Sequence, residues 1–576
     1  MRAPIVLVAF SLALARPYPV NGQSLEPVPV ACKGQAISRI EIHTRPPFEI
    51  TGSQLQQRLA RQVTALHATT TSEIIRRFLA LEPGEPCTEL RRSESERILR
   101  AQPYLAAASV LAFPDENGKV AISVVTVDEV SLIFGGGASG KPPHLRKFRL
   151  GEANLMGQAI SLDGDWRYNS DFPDAFVIHF VDYQVLGKPY QLHADFGRRE
   201  RGADWGVEAS HPFLTDLQRV SWRTNVGSRD SYSRFRRLDG QYFYLPFKRT
   251  YGDIGGVVRI GPPGRRLALV GASASYEEEL PGSTPIQLEV SSREFVPVDD
   301  TPLSNRYSPT RVTRINALFG LRDVRFVQVS GFETLDGLQD VRKGSEIGTL
   351  VGRGIEAFGG GGDDMFVSTD FYMGFGSPRA FAGMEVLAEG RKPESEDEWD
   401  GILASGRAVG FVKPEPRHTL VAAVEWSAGW RQRIPFQLSL ADRDGGLAGY
   451  RRSTLAGARR LVTRVEDRIY LGRLKQFASI GIAPFVHTGK LWAGDAPFGT
   501  TAGVRWSAGV GLLASVPPGS QRLWRLDLAF PIPKDYGAKW QVRLTGYNFT
   551  RMFWKEPSDV ARNRERAIPT SIFNWP

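Results

Sequence analysis

The sequence predicts a mainly β chain: a transmembrane antiparallel β-barrel preceded by one small α+β domain. Three observations point there. Stretches of about ten residues with alternating apolar and polar side chains recur from roughly Ala159 to Phe549, the period that sends neighbours to opposite faces of a strand. Aromatic residues stand near many of their ends, as they do at the two interfaces of a bilayer. No stretch past the N-terminus approaches the ~18–20 apolar residues of a spanning helix, and the slightly negative mean hydropathy suits a wall with a polar lumen. Lipid also demands closure, because an open sheet edge strands N–H and C=O groups in hydrocarbon at several kcal/mol each.

The chain has 576 residues, too many for one ordinary soluble core, but a barrel grows with strand number instead. Strand-like stretches number between about sixteen and nineteen, and the even-number rule of single-chain barrels favours sixteen. The net charge of +10 does not indicate nucleic acid, since arginine is spread through strands and loops rather than gathered in one patch. It suits lumen-facing arginines and loops beside anionic head groups.

Taken in order, residues 1–23 are an export signal. Arg2 supplies the positive start, Ile5 to Ala15 the apolar run and Ala13-Leu14-Ala15 a small-x-small cleavage pattern. Residues 24–132 form the α+β domain. Ile37, Ile40 and Ile42 predict a strand, and Thr71-Ser72 caps a helix with Ile74, Ile75, Phe78 and Leu79, stopped by Gly84. A second helix follows Thr88, and Asn117-Gly118 joins two strands. Cys32 and Cys87, the two cysteines, leave two readings open: a disulfide closing a long loop, or free thiols.

Residues 133–157 are expected to be a linker into the barrel. Its Gly135-Gly136-Gly137-Ala138-Ser139-Gly140-Lys141 satisfies most of a phosphate-loop pattern. Pro142-Pro143 stands where Ser or Thr and a helix are required, so that chemistry is rejected. Residues 158–550 are the barrel. Within it, Glu277 to Pro309 and Glu394 to Asp400 are expected to be exposed polar loops, the latter a solvated acidic run, and Gly359 to Gly362 a turn. The clearest strands come last: Trp524, Leu526, Leu528 and Phe530 alternate with Arg525, Asp527 and Ala529, then Trp540, Val542, Leu544 and Gly546 with Gln541, Arg543 and Thr545. Residues 551–576 are a tail.

The β-α-α-β-β order, with "SERILRAQPYLAAASV", resembles a polypeptide-transport-associated (POTRA) domain; a plain α+β domain that steadies the barrel is the other reading. The Asn-x-x-Gly of "LGEANLMGQAISLDGDW" resembles the entry into such a barrel's first strand. From Phe436 to Phe549 the chain resembles the BamA/TamA superfamily of outer-membrane insertases and two-partner secretion pores. There a sixth loop with a [VIL]-R-G-[YF] motif folds into the lumen ahead of five C-terminal strands. Residues 436–460 match that loop through Gly446, Leu447, Ala448, Gly449 and Tyr450, with Arg451 and Arg452 following. The resemblance implies lumen partners at Glu466, in an E-x-R pattern, and at His487, where the family has an aspartate. Ala448 stands at the family's arginine position, so loop and wall have changed together, and Arg451 or Arg452 is expected to reach Glu466 instead. Trp540 to Phe549 resembles the sorting strand, and the seam is expected between Ala159 and Gly546, where glycine weakens pairing.

What the resemblance implies about activity is protein insertion, assembly or translocation at the outer membrane, with client polypeptides, lipid and periplasmic accessory proteins as partners. The N-terminal domain would lie in the periplasm. A two-partner secretion pore and a passive porin-like barrel remain alternatives. No G-x-S-x-G elbow, no H-E-x-x-H and no clustered Cys/His pattern occurs, so no catalytic residue, metal or cofactor is expected.

Overall fold

The computed structural model describes residues 28–48, 67–139, 144–168, 172–264, 266–289, 294–356, 364–394, 397–475, 477–548 and 556–564. The export signal, Lys141, the turn at residues 359–362 and Phe549 lie outside them.

The N-terminal domain carries β1 (Lys33–Arg45), β2 (Pro86–Thr88), β3 (Leu105–Pro114) and β4 (Val120–Asp128) in the sheet order β2-β1-β4-β3. Helices Ser72–Arg76 and Glu89–Arg100 pack Ile74, Ile75, Ile98 and Leu99 against Ile37, Val110, Ile122 and Val124. The second helix starts where Thr88 accepts from the Arg91 N–H at 3.4 Å. Ile37 and Ile40 both face this core although three residues apart, because a bulge between Ile37 and Arg39 absorbs the extra residue. Asn117 and Gly118 take φ of 57° and 72° at the hairpin. Cys32 and Cys87 form a disulfide with Cα atoms 5.0 Å apart, which decides between the two readings of the cysteines.

Among the described residues the barrel has twenty long antiparallel strands rather than sixteen. Residues 132–152 are not a linker: Leu132–Ser139 and His144–Glu152 are its first two strands. Three consecutive glycines, Gly135 to Gly137, carry no hydrophobic alternation, which hides the first strand from a pattern reading. The expected loop from Glu277 also begins inside a strand, Leu267–Pro281, where Glu277 and Glu279 are buried beside Arg249. The rest of that segment forms the short hairpin Ile286–Leu288/Phe295–Pro297 and the helical turn Thr301–Ser304. Ala159, expected at the first strand, lies buried in a turn between the second and third.

The wall is apolar outside and charged inside. Along the strand Thr310–Ser330, Ile315, Phe319 and Leu321 are 56%, 52% and 63% exposed, whereas Arg314, Asn316 and Arg322 are 2% or less. Arg314 pairs with Asp364 at 2.5 Å, and Arg322 with Glu346 at 2.7 Å. Phe176, Ile178, Ile254, Val486, Leu512 and Leu544 continue the outward belt. A soluble sandwich buries its apolar face and wets its polar one; this inversion is what a hydrocarbon surround selects.

The N-terminal domain seats on the turns at one end of the barrel. Arg100 makes a forked pair with Asp340 at 2.8 and 2.9 Å. Gln184 donates to the Ile74 carbonyl at 2.9 Å, and Arg522 to the Val130 carbonyl at 2.5 Å. The Asn-x-x-Gly segment belongs here: Asn154 donates to Thr70 Oγ1 at 2.8 Å, and a Cβ on Gly157 would lie 2.3 Å from the Thr69 carbonyl oxygen.

Two outcomes follow from this architecture. Phe319→Arg puts a cation in the apolar belt and should cost about 2–4 kcal/mol in urea titrations of the protein folded into lipid vesicles. Cys87→Ser removes a cross-link spanning 55 residues and should lower the N-terminal domain's stability by about 4 kcal/mol, read by pulse proteolysis in urea.

Candidate functional site

At the end away from the domain, residues 431–458 turn back into the lumen. Because the barrel has twenty strands, this is the eighth connection on that side rather than the sixth. Counted from the C-terminus the expectation holds: the five strands Arg459–Leu474, Ala478–Trp492, Arg505–Ser515, Arg522–Ile532 and Gln541–Asn548 follow it.

The loop has its own small core. Leu438–Ser439 pairs with Ala456–Gly457, and Phe436, Leu438, Leu440 and Leu455 pack against Leu403 and Leu491 of the wall. Gly446 is required by space, since a Cβ there would lie 2.1 Å from the Leu440 carbonyl oxygen. Gly449 is required by backbone, with φ at 85°. Leu447 and Tyr450 are fully buried with Val462 and Ala538. The Tyr450 hydroxyl lies 3.1 and 3.2 Å from the carbonyls of Trp506 and Ile532. Ala448 is buried and packs on Phe485 and Ala529.

Glu466 does not pair with Arg451 or Arg452, which are exposed. It accepts from Arg468 at 2.5 Å and from Arg525 at 2.6 Å. Arg525 also donates to Asp527 at 2.6 Å, and Arg543 donates to the other Asp527 oxygen at 3.2 Å. The positive charge opposite Glu466 therefore comes from the wall, from Arg468 on its own strand and Arg525 three strands further on, and not from the loop. His487 stands outside this chain of charges. Its ring stacks on Phe485 at 4.6 Å, and its Nδ1 has no hydrogen-bond partner among the described residues.

The last strand is one of several holds on the loop, beside the wall's Arg236, which donates to Asp444 at 2.6 Å. Gln541 donates to Asp442 at 2.9 Å and accepts from the Gly449 N–H at 2.8 Å. Arg543 reaches Asp442 at 3.4 Å, and the Lys539 N–H donates to the Gly449 carbonyl at 2.9 Å. On the other side Arg464 donates to the carbonyls of Gly445 and Gly446 at 3.0 and 3.2 Å. Residues 556–564 also enter the lumen and lie against the loop, with Arg460 forked on Asp559 at 2.6 and 2.9 Å.

The ring closes between Leu132–Ser139 and Gln541–Asn548, not at Ala159. Among the described residues this is the least extensive contact between neighbouring strands of the ring. Gly546 sits opposite Trp524 in the ladder on its other side, where a Cβ would lie 2.6 Å from the indole ring. Its role is to admit that ring, an aromatic laid over a strand glycine. Trp540, 63% exposed, opens the last strand on its outer face.

Sequence reasoning missed Arg525, Asp527, Arg543, Asp442 and Gln541. The signal for the strand residues was present: charges at alternate positions between Trp524, Leu526 and Leu528 must face the lumen if the apolar residues face lipid. Which charge meets which depends on register across strands and could not be read.

No protein-family model matches the sequence, and no curated protein matches it. Among solved structures the chain is similar to BamA from Haemophilus ducreyi lacking POTRA domains 1–3, at 12% identity over 89% of this chain and 85% of that one, TM-score 0.38. It is similar to CdiB from Escherichia coli at 11% identity over 89% and 75%, TM-score 0.39. In fold the chain resembles the BamA and CdiB barrels. It is also similar to the FrpB iron transporter from Neisseria meningitidis, at 12% identity over 76% and 86%, TM-score 0.34. Likeness at this level does not separate one kind of barrel from another, so the functional reading rests on the geometry of the loop and the seam.

Arg525→Met should strand Glu466 and Asp527, whose remaining partners are Arg468 and Arg543, and cost about 3–5 kcal/mol. The double variant Glu466→Leu/Arg525→Met should lose less than the sum of the single changes, measured by urea unfolding in lipid vesicles.

Proposed function

We propose that this chain is an outer-membrane barrel that assists insertion, assembly or translocation of polypeptides, acting at the seam between Leu132–Ser139 and Gln541–Asn548 with its N-terminal domain in the periplasm. The observation that carries the reading is the seam itself: the weakest join in the wall lies in its shortest part. The first six strands have eight or nine residues each and the last has eight, at or below the ~9–11 that cross a bilayer. A wall this short thins the adjoining lipid.

The mechanism needs no covalent step, metal or cofactor. A client strand pairs with the edge that opens at the seam, so its N–H and C=O groups exchange water for a ladder before they meet hydrocarbon. Asp442 and Gly449 of the infolded loop brace the last strand from inside through Gln541, which links loop position to the freedom of that edge. The N-terminal domain would hold the client nearby. One of its sheet edges is occupied: the β3 carbonyls of Ala112 and Val110 accept from the Val30 N–H at 2.8 Å and from Arg92 at 2.6 Å. On the opposite edge β2 and the turn before it cover β1 only as far as Ile37, which among the described residues leaves Arg39 to Arg45 for strand addition.

A secretion pore for a partner protein is the second reading, and it requires the loop and residues 556–564 to leave the lumen. A passive porin is disfavoured because the same segments fill that lumen.

A photo-crosslinking residue placed at Val542 or Leu544 of the last strand should capture unfolded outer-membrane barrel proteins in living cells. The same probe at Val351, across the wall, should capture none. Equal labelling at both places would defeat the seam mechanism.

A further inference from the structure

Residues 556–564 occupy the lumen without joining its sheet. Among the described residues their backbone-to-backbone hydrogen bonds stay within the segment, as from Val560 and Ala561 to Pro557 and from Arg562 to Ser558, and the Arg562 carbonyl accepts from the wall's Arg249 side chain at 3.3 Å. Side chains do the holding, and Arg562 also lies 3.7 Å from Asp444 of the infolded loop. Arg460 grips Asp559 through two bonds, both residues being buried, and also donates to the Ser439 carbonyl of the infolded loop at 2.8 Å. Arg564 reaches Glu389 at 3.1 Å and Ser405 at 3.0 Å, while Ser405 donates to Glu556 at 2.6 Å. Val560, fully buried, completes the apolar cluster of Leu438, Leu440 and Leu403. Gly445 makes room, since a Cβ there would lie 2.6 Å from Pro557.

We propose that this C-terminal segment is a releasable plug that occludes the lumen and secures the infolded loop. The inference rests on the reading of the chain as a membrane barrel. Leaving the lumen breaks ion pairs and one apolar contact but no strand ladder, so the wall survives release intact. The arginines and carboxylates left behind meet water entering the lumen, which removes the desolvation that makes a broken pair in a dry core so costly. Space for that water already exists beside the plug: a cavity of about 390 Å³ is lined by Glu556, Ala561 and Arg564 on one side and by Glu208, Arg223 and Tyr251 on the other. Because Arg460 holds both Asp559 and Ser439, departure of the plug also loosens the loop that braces the last strand.

The test compares the full-length protein, a variant truncated after residue 555 and Asp559→Lys, which sets a second cation against Arg460. Each is first checked for a folded barrel by its heat-dependent gel shift, then reconstituted in planar bilayers. Release of the plug should raise mean conductance by about twofold or more in either variant. Conductance equal to that of the full-length protein in both variants, with folded barrels, overturns the proposal. Failure of all three proteins to insert into lipid would instead sink the barrel reading on which it rests.

Discussion

A wall whose outer face is apolar must gather its charges within, and charges gathered in a confined lumen must meet partners. That constraint orders most of what is distinctive here. Removing one member of a buried pair costs about 3–5 kcal/mol, whereas replacing both together can be neutral. Ala448 is legible in those terms. With alanine in the loop, Glu466 would be an uncompensated carboxylate, and Arg525 and Arg468 supply the compensation from the wall. The loop brings carboxylates instead: Asp442 meets Gln541 and Arg543 of the last strand, and Asp444 pairs with Arg236.

This exchange gives the loop an anchorage on the last strand, which is one side of the seam. In the proposed mechanism, opening the seam and moving the loop would thus be connected events. The first strand contributes the other side, with Gly135 to Gly137 offering little side-chain packing to its neighbour. A join that is poor in side chains, short in span and braced from within by hydrogen bonds can open without unravelling the ladders elsewhere.

Both ends of the lumen are occupied in this state. The N-terminal domain is fixed to the turns at one end by Arg100, Gln184 and Arg522. Toward the other end the infolded loop and residues 556–564 share one apolar cluster through Val560. Under the proposed function these contacts would hold a closed resting form.

The local chemistry of single strands and turns was legible in the chain alone: the β-barrel class, the Asn117-Gly118 hairpin, the five closing strands and the N-terminal domain's elements apart from the short strand Pro86–Thr88 follow from side-chain period and backbone preference. Glycine-rich Leu132–Ser139 escaped because it lacks alternation, and with it the position of the seam; it and His144–Glu152 are two of the four strands beyond the expected sixteen, the other two lying among the irregular stretches after Ala159, and together they shift the loop's ordinal place. The pairing of Glu466 with Arg525, the anchoring of Gly449 by Gln541 and the return of Asp559 to Arg460 were decided only in three dimensions. Each joins residues far apart in sequence across strands whose register no periodicity encodes, and partner choice among many lumen charges is settled by distance after the wall has closed.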